Sequence, residues 1–160
     1  MSPFADTNWL VALYLQAHPQ DADSVSRAAI AERRTRKESF LRTSHIVLLE
    51  ARNVFSRATG EAHPREWEDL VADFNGRVFV DPMNWDLLRR ETNRMFELFS
   101  HRATLGTFDV AIVASAHLAG AREILSFDER LKALAIAVGI GAFPPLSAEG
   151  RGFLATLRRK

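Results

Sequence analysis

Short apolar segments alternate with helix-periodic ones along almost the whole chain, and this alternation limits the fold more than any other feature. Pro3 to Ala5, FLRTS at 40–44, VFV at 78–80 and EILS at 123–126 each read as a strand, and AVGIGAF at 137–143 adds a candidate final one. A helix-like segment follows each of the first four. Parallel strands need crossover connections that helices supply, so the pattern predicts an α/β fold: a central parallel sheet of about four or five strands flanked by helices. At 160 residues, one domain with one core accounts for the chain.

The helices are read from their apolar spacing. Leu10, Leu13 and Tyr14 share a face of the first, and Val25, Ala28 and Ala29 a face of the second, which follows the turn HPQDADS and runs into the basic ERRTRKE. Ile46 to Arg57 forms the next, with Val47, Ala51 and Val54 inward, and Ala62 to Phe74 another, ended by the turn pair Asn75-Gly76. The VFV segment after that turn reads as a buried strand by its β-branched and aromatic content. Trp85 to Phe99 is amphipathic through Leu88, Met95 and Phe99. Gly106-Thr107 opens a helix so rich in small and apolar residues that it must pack closely against the sheet. Ser126-Phe127-Asp128-Glu129 matches a capping box. Composition shifts at Pro144, which divides the chain into a domain over 1–143 and a tail over 144–160, the latter a docked helix or a partner contact.

Composition excludes several chemistries. The chain has no cysteine, so disulfides and thiolate-bound zinc or iron–sulfur centres are ruled out, and a reducing, cytoplasmic location fits. The N-terminal apolar stretch carries Asp6 and Asn8, lacks a basic leader and is too short to cross a bilayer, so no membrane insertion is expected. Net charge is +1, with basic clusters at 32–37, 87–91 and the C-terminus that serve as solvated helix faces or as a nucleic-acid footprint.

Four acids carry the functional signal. Asp6 ends the first strand, Asp109 opens the small-residue helix, Asp128 follows the EILS strand, and Glu50 reaches in from its helix. In an open parallel sheet, ligands gather beyond the carboxyl ends of the strands, where these acids fall. Each alone has a structural explanation as a helix cap, a first-turn charge or a solvated side chain. As a group they repel one another unless a cation sits among them. An all-oxygen set suits Mg²⁺, with Mn²⁺ as a substitute, and phosphodiester hydrolysis is the chemistry such a site performs.

With these pieces in place the sequence resembles the PIN domain, and within it the VapC-type toxins of prokaryotic toxin–antitoxin pairs. FADTNWLVAL, TSHIVLLEARNVF, FDVAIVASAHLAGA and ILSFDERLKALA carry the resemblance, in that order, over residues 3 to 143. It implies a PIN-like domain that hydrolyses RNA as a metal-dependent endoribonuclease and is held inactive by a cognate antitoxin. It also implies that Asp6, Asp109 and Glu50 bind the metal, that Asp128 acts through water or electrostatically, and that Asn8 and Ser126 orient these carboxylates. Glu129 stands beside Asp128 as a rival for the fourth role. A homodimer is expected by the same resemblance.

Other residues carry less. Arg52, Arg57, Arg89, Arg90 and Arg94 are candidates for RNA-phosphate contacts. Trp9, Trp67 and Trp85 read as core rather than base-stacking residues, and the five histidines as structural or surface residues. The competing functions are a non-catalytic PIN-like module that binds RNA or protein, and a metal-dependent nuclease acting on DNA.

Overall fold

The computed structural model describes residues 1–15, 19–74 and 76–160. Five strands form one wholly parallel sheet: β1 (Phe4–Ala5), β2 (Leu41–Ser44), β3 (Val78–Asp81), β4 (Glu123–Leu125) and β5 (Gly141–Phe143), in the spatial order β3-β2-β1-β4-β5. The expected α/β architecture with its parallel sheet is therefore present. The chain builds outward from β1 through β2 to β3, then returns to lay β4 on the other side of β1. That reversal opens a crevice at the carboxyl ends of β1 and β4, the usual ligand position in such sheets. Register brings Phe4 level with Arg42 on one side and Ile124 on the other, with Ala5 opposite Leu125.

Among the described residues, eight helices surround the sheet: α1 (Thr7–Tyr14), α2 (Ala22–Thr35), α3 (His45–Thr59), α4 (Arg65–Ala72), α5 (Trp85–Phe99), α6 (Thr107–Leu118), α7 (Glu129–Ala137) and α8 (Ala148–Leu157). Helix α1 packs against α2, α3 and α4, while α6 packs against α3, α5 and α7. The small residues of α6 have the expected consequence: Val110, Ile112, Val113, Ala114 and Ala116 are fully buried. Each fully buried Val or Ile side chain contributes about 1.5–3 kcal/mol relative to exposure, so these residues hold the helix against the sheet.

Several local expectations change. The inward side of α2 is Ala31 with half-buried Ala28 and Ile30, whereas Val25 and Ala29 face solvent, because the helix meets α1 along a narrow stripe and reaches β4 and β5 through Arg34. Helix α4 begins at Arg65 rather than Ala62, since Pro64 sits at its N-cap in an extended conformation. Strand β3 lies at the sheet edge, so only Val78 is buried and Phe79 is exposed. Trp9 is core and Trp67 half-buried, but Trp85, in the first turn of α5, is 65% exposed. Asn75 of the expected turn and His18 of HPQDADS lie outside the described residues.

The segment after Pro144 is a docked helix. Leu157 is fully buried, its carbonyl accepts a hydrogen bond from Arg102 at 2.7 Å, and α8 packs on α7. Between the two, Lys132 is 2% exposed and donates to the Pro144 carbonyl at 3.0 Å and to Glu129 at 2.8 Å. Among the described residues no helix is long and apolar enough to cross a membrane.

Candidate metal centre

Each acid is positioned by a helix start or an early helical turn. Asp6 leaves β1, its amide donating to the Leu125 carbonyl of β4, and becomes the N-cap of α1 by accepting from the Thr7 amide at 2.6 Å. Asp109 lies in the first turn of α6, and Asp128 is the N-cap of α7, accepting from the Arg130 and Leu131 amides at 2.9 and 3.0 Å. Glu50 projects from α3, whose first turn is capped by Ser44, itself 3.0 Å from the Ser115 hydroxyl of α6. The amide ends of α1, α6 and α7 favour negative charge near them.

The expected capping box at Ser126 is replaced by another arrangement. Asp128 caps α7, which frees the fully buried Ser126 hydroxyl to donate to Asp6 Oδ2 at 2.7 Å, across the crevice between β4 and β1. The same hydroxyl oxygen accepts from the Asp128 amide at 3.0 Å. Asn8 Oδ1 accepts from the Phe127 amide at 3.0 Å and so fastens the β4–α7 turn to α1. Both oxygens of Asp6 are thus oriented by neighbours, and the turn that carries Asp128 is tied to the helix that Asp6 caps.

The four carboxylates form one electrostatic group. Asp6, 3% exposed, has its pKa raised to about 7, chiefly by burial and further by the charges of Glu50 and Asp128, against the lowering effect of its Ser126 and Thr7 hydrogen bonds. Asp109 is raised to about 6 by burial first, then by Asp128 and Glu50, with Arg130 acting in the opposite sense. Burial disfavours the ionised form, and nearby carboxylates disfavour it further unless a cation offsets their charge.

Two further observations bear on whether a cation fits. Thr7 Oγ1, adjacent to Asp6, is buried without a hydrogen-bond partner. At Gly106, a Cβ would come within 3.0 Å of Asp109 Oδ2, so the absence of a side chain there makes room for the carboxylate. Among the described residues no three Asp, Glu or His side chains converge into a ready-made cage. What the chain offers a cation is a set of carboxylate oxygens, the donor type that Mg²⁺ takes together with several waters.

Glu129, the sequence neighbour of Asp128, is committed elsewhere. It pairs with Lys132 and accepts from the Ser147 amide at 2.8 Å. Burial would raise its pKa, but these partners outweigh that effect and lower it.

Most of the candidate arginines are also engaged. Arg52 bonds Ser56 and the Ala62 carbonyl and lies over the Trp67 ring. Arg89 and Arg90 both pair with Asp86, and Arg94 with Glu91, all on the outside of α5. Arg57 is exposed. Among the described residues, Arg130 is a cation whose charge acts on Asp109, and it was not among the arginines expected from sequence. Its position two residues beyond Asp128 was the only available signal, because the ring that supports it, Phe153, comes from α8.

Fold and site together define an α/β domain whose sheet edge gathers acids around the chain reversal. Residues 4–137 match the PIN domain family, and the chain belongs to that family. No curated protein matches it in sequence. Among solved structures, it is similar to VapC20 of Mycobacterium tuberculosis, described as a Sarcin-Ricin loop cleaving toxin, at 22% identity and a TM-score of 0.62, covering 82% of this chain and 94% of that one. It is also similar to VapBC2 of Rickettsia felis, bound to a DNA fragment from their promoter, at 17% identity and a TM-score of 0.61, covering 89% and 97%. A third likeness is to FitAcB of Neisseria gonorrhoeae, at 15% identity and a TM-score of 0.58, covering 89% and 96%. At these identities the likeness is one of fold.

Proposed function

We propose that this protein is a divalent-metal-dependent endoribonuclease, the toxin of a type II toxin–antitoxin pair, which hydrolyses RNA phosphodiester bonds at the acid-lined crevice. The observation that carries the reading is the placement of Asp6, Asp109 and Asp128 at the starts of α1, α6 and α7, where the charges of Glu50 and Asp128 act on both Asp6 and Asp109. The VapC and FitAcB likenesses support it by analogy.

Asp6 and Asp109, with Glu50, are the residues that would hold Mg²⁺ or Mn²⁺, and Asp128 would take part through water. When bound, such an ion acidifies a coordinated water and offsets the negative charge that gathers on the phosphate. The chain's own contribution is orientation. Ser126 and the Thr7 amide fix the two oxygens of Asp6, Gly106 gives Asp109 space, and Asn8 holds the turn that presents Asp128. The burial that penalises bare carboxylates also strengthens their hold on a cation.

Thermal unfolding of wild type, Asp6→Asn and Asp109→Asn with Mn²⁺, Mg²⁺ or EDTA tests the site, followed by cleavage assays on RNA and DNA side by side. The reading expects stabilisation of the wild type alone and cleavage of RNA in preference to DNA. Cleavage of RNA by a clean Asp109→Asn preparation at the wild-type rate would sink it. The absence of a convergent cage among the described residues favours the second reading, a non-catalytic RNA-binding module. That module would bind RNA equally well in EDTA and never cleave it.

An antitoxin partner and a homodimer belong to the same proposal. Trp85, Leu87 and Leu118 expose apolar side chains along α5 and α6, and this supports self-association. A monomer mass by light scattering at every concentration would refute the dimer.

A further inference from the structure

The Arg130 guanidinium differs from those of the arginines on α3 and α5. It projects from the first turn of α7 and lies 4.9 Å from the centroid of the Phe153 ring, which α8 supplies. It lines a cleft of about 260 Å³ together with Asp109, Gly106, Leu134 and Phe153. It forms no ion pair with any described carboxylate, whereas Arg89, Arg90 and Arg94 are each paired.

A guanidinium stacked on an aromatic ring uses its face and keeps its edge available. That edge carries the N–H donors, arranged as a planar fork that matches two oxygens of a phosphate or carboxylate. In this cleft it points to an anionic ligand, because Asp109 feels its charge but no described carboxylate comes within ion-pair distance to occupy the N–H fork. Beside a group of carboxylates, a nucleic-acid phosphate, which carries its own counterions, is the class of anion that suits the position.

We propose that Arg130, steadied on the Phe153 ring, binds a phosphate of the RNA backbone next to Asp109, which makes α8 part of the substrate site. This rests on the ribonuclease reading above. Arg130 is the substrate contact, and Phe153 is a positioning residue that acts through it. The segment after Pro144 then has a function that its docking alone does not require.

The test uses a short fluorescein-labelled single-stranded RNA of mixed sequence, titrated by anisotropy with full-length Asp6→Asn protein so that no cleavage intervenes. Into that background go Arg130→Ala, Arg130→Lys, Phe153→Leu and, as a surface control, Lys37→Ala, each at several KCl concentrations. Arg130→Ala is expected to weaken binding about 10-fold and to lower the slope of log K against log salt by about 0.7, the value for one single-strand phosphate contact. Arg130→Lys should restore the slope but only part of the affinity, since a lysine keeps the charge and loses the fork. Phe153→Leu should weaken binding about threefold at unchanged slope, and Lys37→Ala should change neither.

If the Asp6→Asn parent binds RNA and Arg130→Ala, melting like the parent, matches it in affinity and slope, the inference is overturned while the ribonuclease reading stands. If the parent binds no RNA at low salt, the inference is overturned, and the ribonuclease reading falls with it if the wild type also cleaves no RNA in Mn²⁺. A loss in Arg130→Ala that Arg130→Lys does not restore at all, with the slope unchanged, also overturns it, because that pattern marks packing rather than a phosphate contact.

Discussion

At the acid edge of the sheet, buried Asp6 and half-buried Asp109 feel the charges of further carboxylates, whereas at the seam between α7 and α8 a buried cation and an anion are matched. The contrast falls between adjacent residues. Asp128 adds its charge to the repulsion felt by Asp6 and Asp109, while Glu129 closes a network with Lys132 and the Ser147 amide. At the seam Lys132 and Glu129 meet their partners within the folded chain. The acid edge leaves its charge to be met from outside. Unmatched charge is a cost that a structural site has no reason to keep, and this separates the two regions more sharply than their composition does.

The largest effect that tests this contrast is on catalysis. Asp109→Asn should lower RNA cleavage by about 100-fold or more, because several kcal/mol of charge stabilisation depend on the cation it helps to hold. At a metal concentration a hundredfold above Kd, the wild type should gain about 2.7 kcal/mol, or roughly 5–10 °C in Tm, and Asp109→Asn should gain little. Equal metal-induced shifts in both proteins would remove the distinction between the two regions.

Next in size is the seam. Lys132→Met removes a cation that is almost fully buried and leaves Glu129, whose side chain is 22% exposed, and the Pro144 carbonyl without their partner. The expected cost is about 2–4 kcal/mol by urea unfolding, with no change in the metal-induced shift. A neutral result would mean that methionine's packing makes up for the lost network.

The two regions should also respond to pH with opposite signs in EDTA. The Asp109 pKa is raised when folded, so the contribution of this group to stability is fully present below its unfolded value near 3.8 and is lost as pH rises through about 6. Asp109→Asn should therefore be more stable than metal-free wild type at pH 8, and that advantage should vanish by about pH 4. The Glu129 pKa is lowered, so its contribution is present above the unfolded value of 4.5 and is lost as pH falls through the folded one. Glu129→Gln should be less stable than wild type at pH 7, with the difference closing in acid. Parallel profiles for the two variants would contradict the contrast.

How much of this was legible in sequence follows the same division. Asp6, Asp109 and Asp128 each sit at or just inside a helix start that the chain signals locally, and the alternation of strands and helices implied a parallel sheet. Ser126 was legible as a polar neighbour of the acids but not in its role, since the capping-box pattern points its hydroxyl at the helix rather than across the crevice to Asp6. The exposure of Trp85 and Phe79 was not legible, because amphipathic spacing fixes a face but does not say what lies opposite it. The pairing of Arg130 with Phe153 and of Lys132 with the Pro144 carbonyl joins residues from two packed helices and their connection, which no local pattern encodes. Tertiary contact decided those cases, and they are the ones that distinguish the seam from the acid edge.

The smallest expected effect on stability is also the finest probe of the acid edge. Gly106 is the N-cap of α6 with φ of −72°, a conformation open to any residue, so Gly106→Ala introduces no backbone strain. Global stability should change by less than about 0.5 kcal/mol. The added Cβ, however, would stand 3.0 Å from Asp109 Oδ2, closer than such contacts normally settle, so the carboxylate must move by a few tenths of an ångström. A seam built on matched partners would absorb that shift through side-chain flexibility. At a metal site the ligand position sets the affinity, and Gly106→Ala should weaken Mn²⁺ by about 10-fold, as disturbance of a ligand's supporting shell does. Isothermal titration with Mn²⁺ at pH 8 measures this directly. Unchanged affinity would show that Asp109 acts through a water layer rather than by direct ligation.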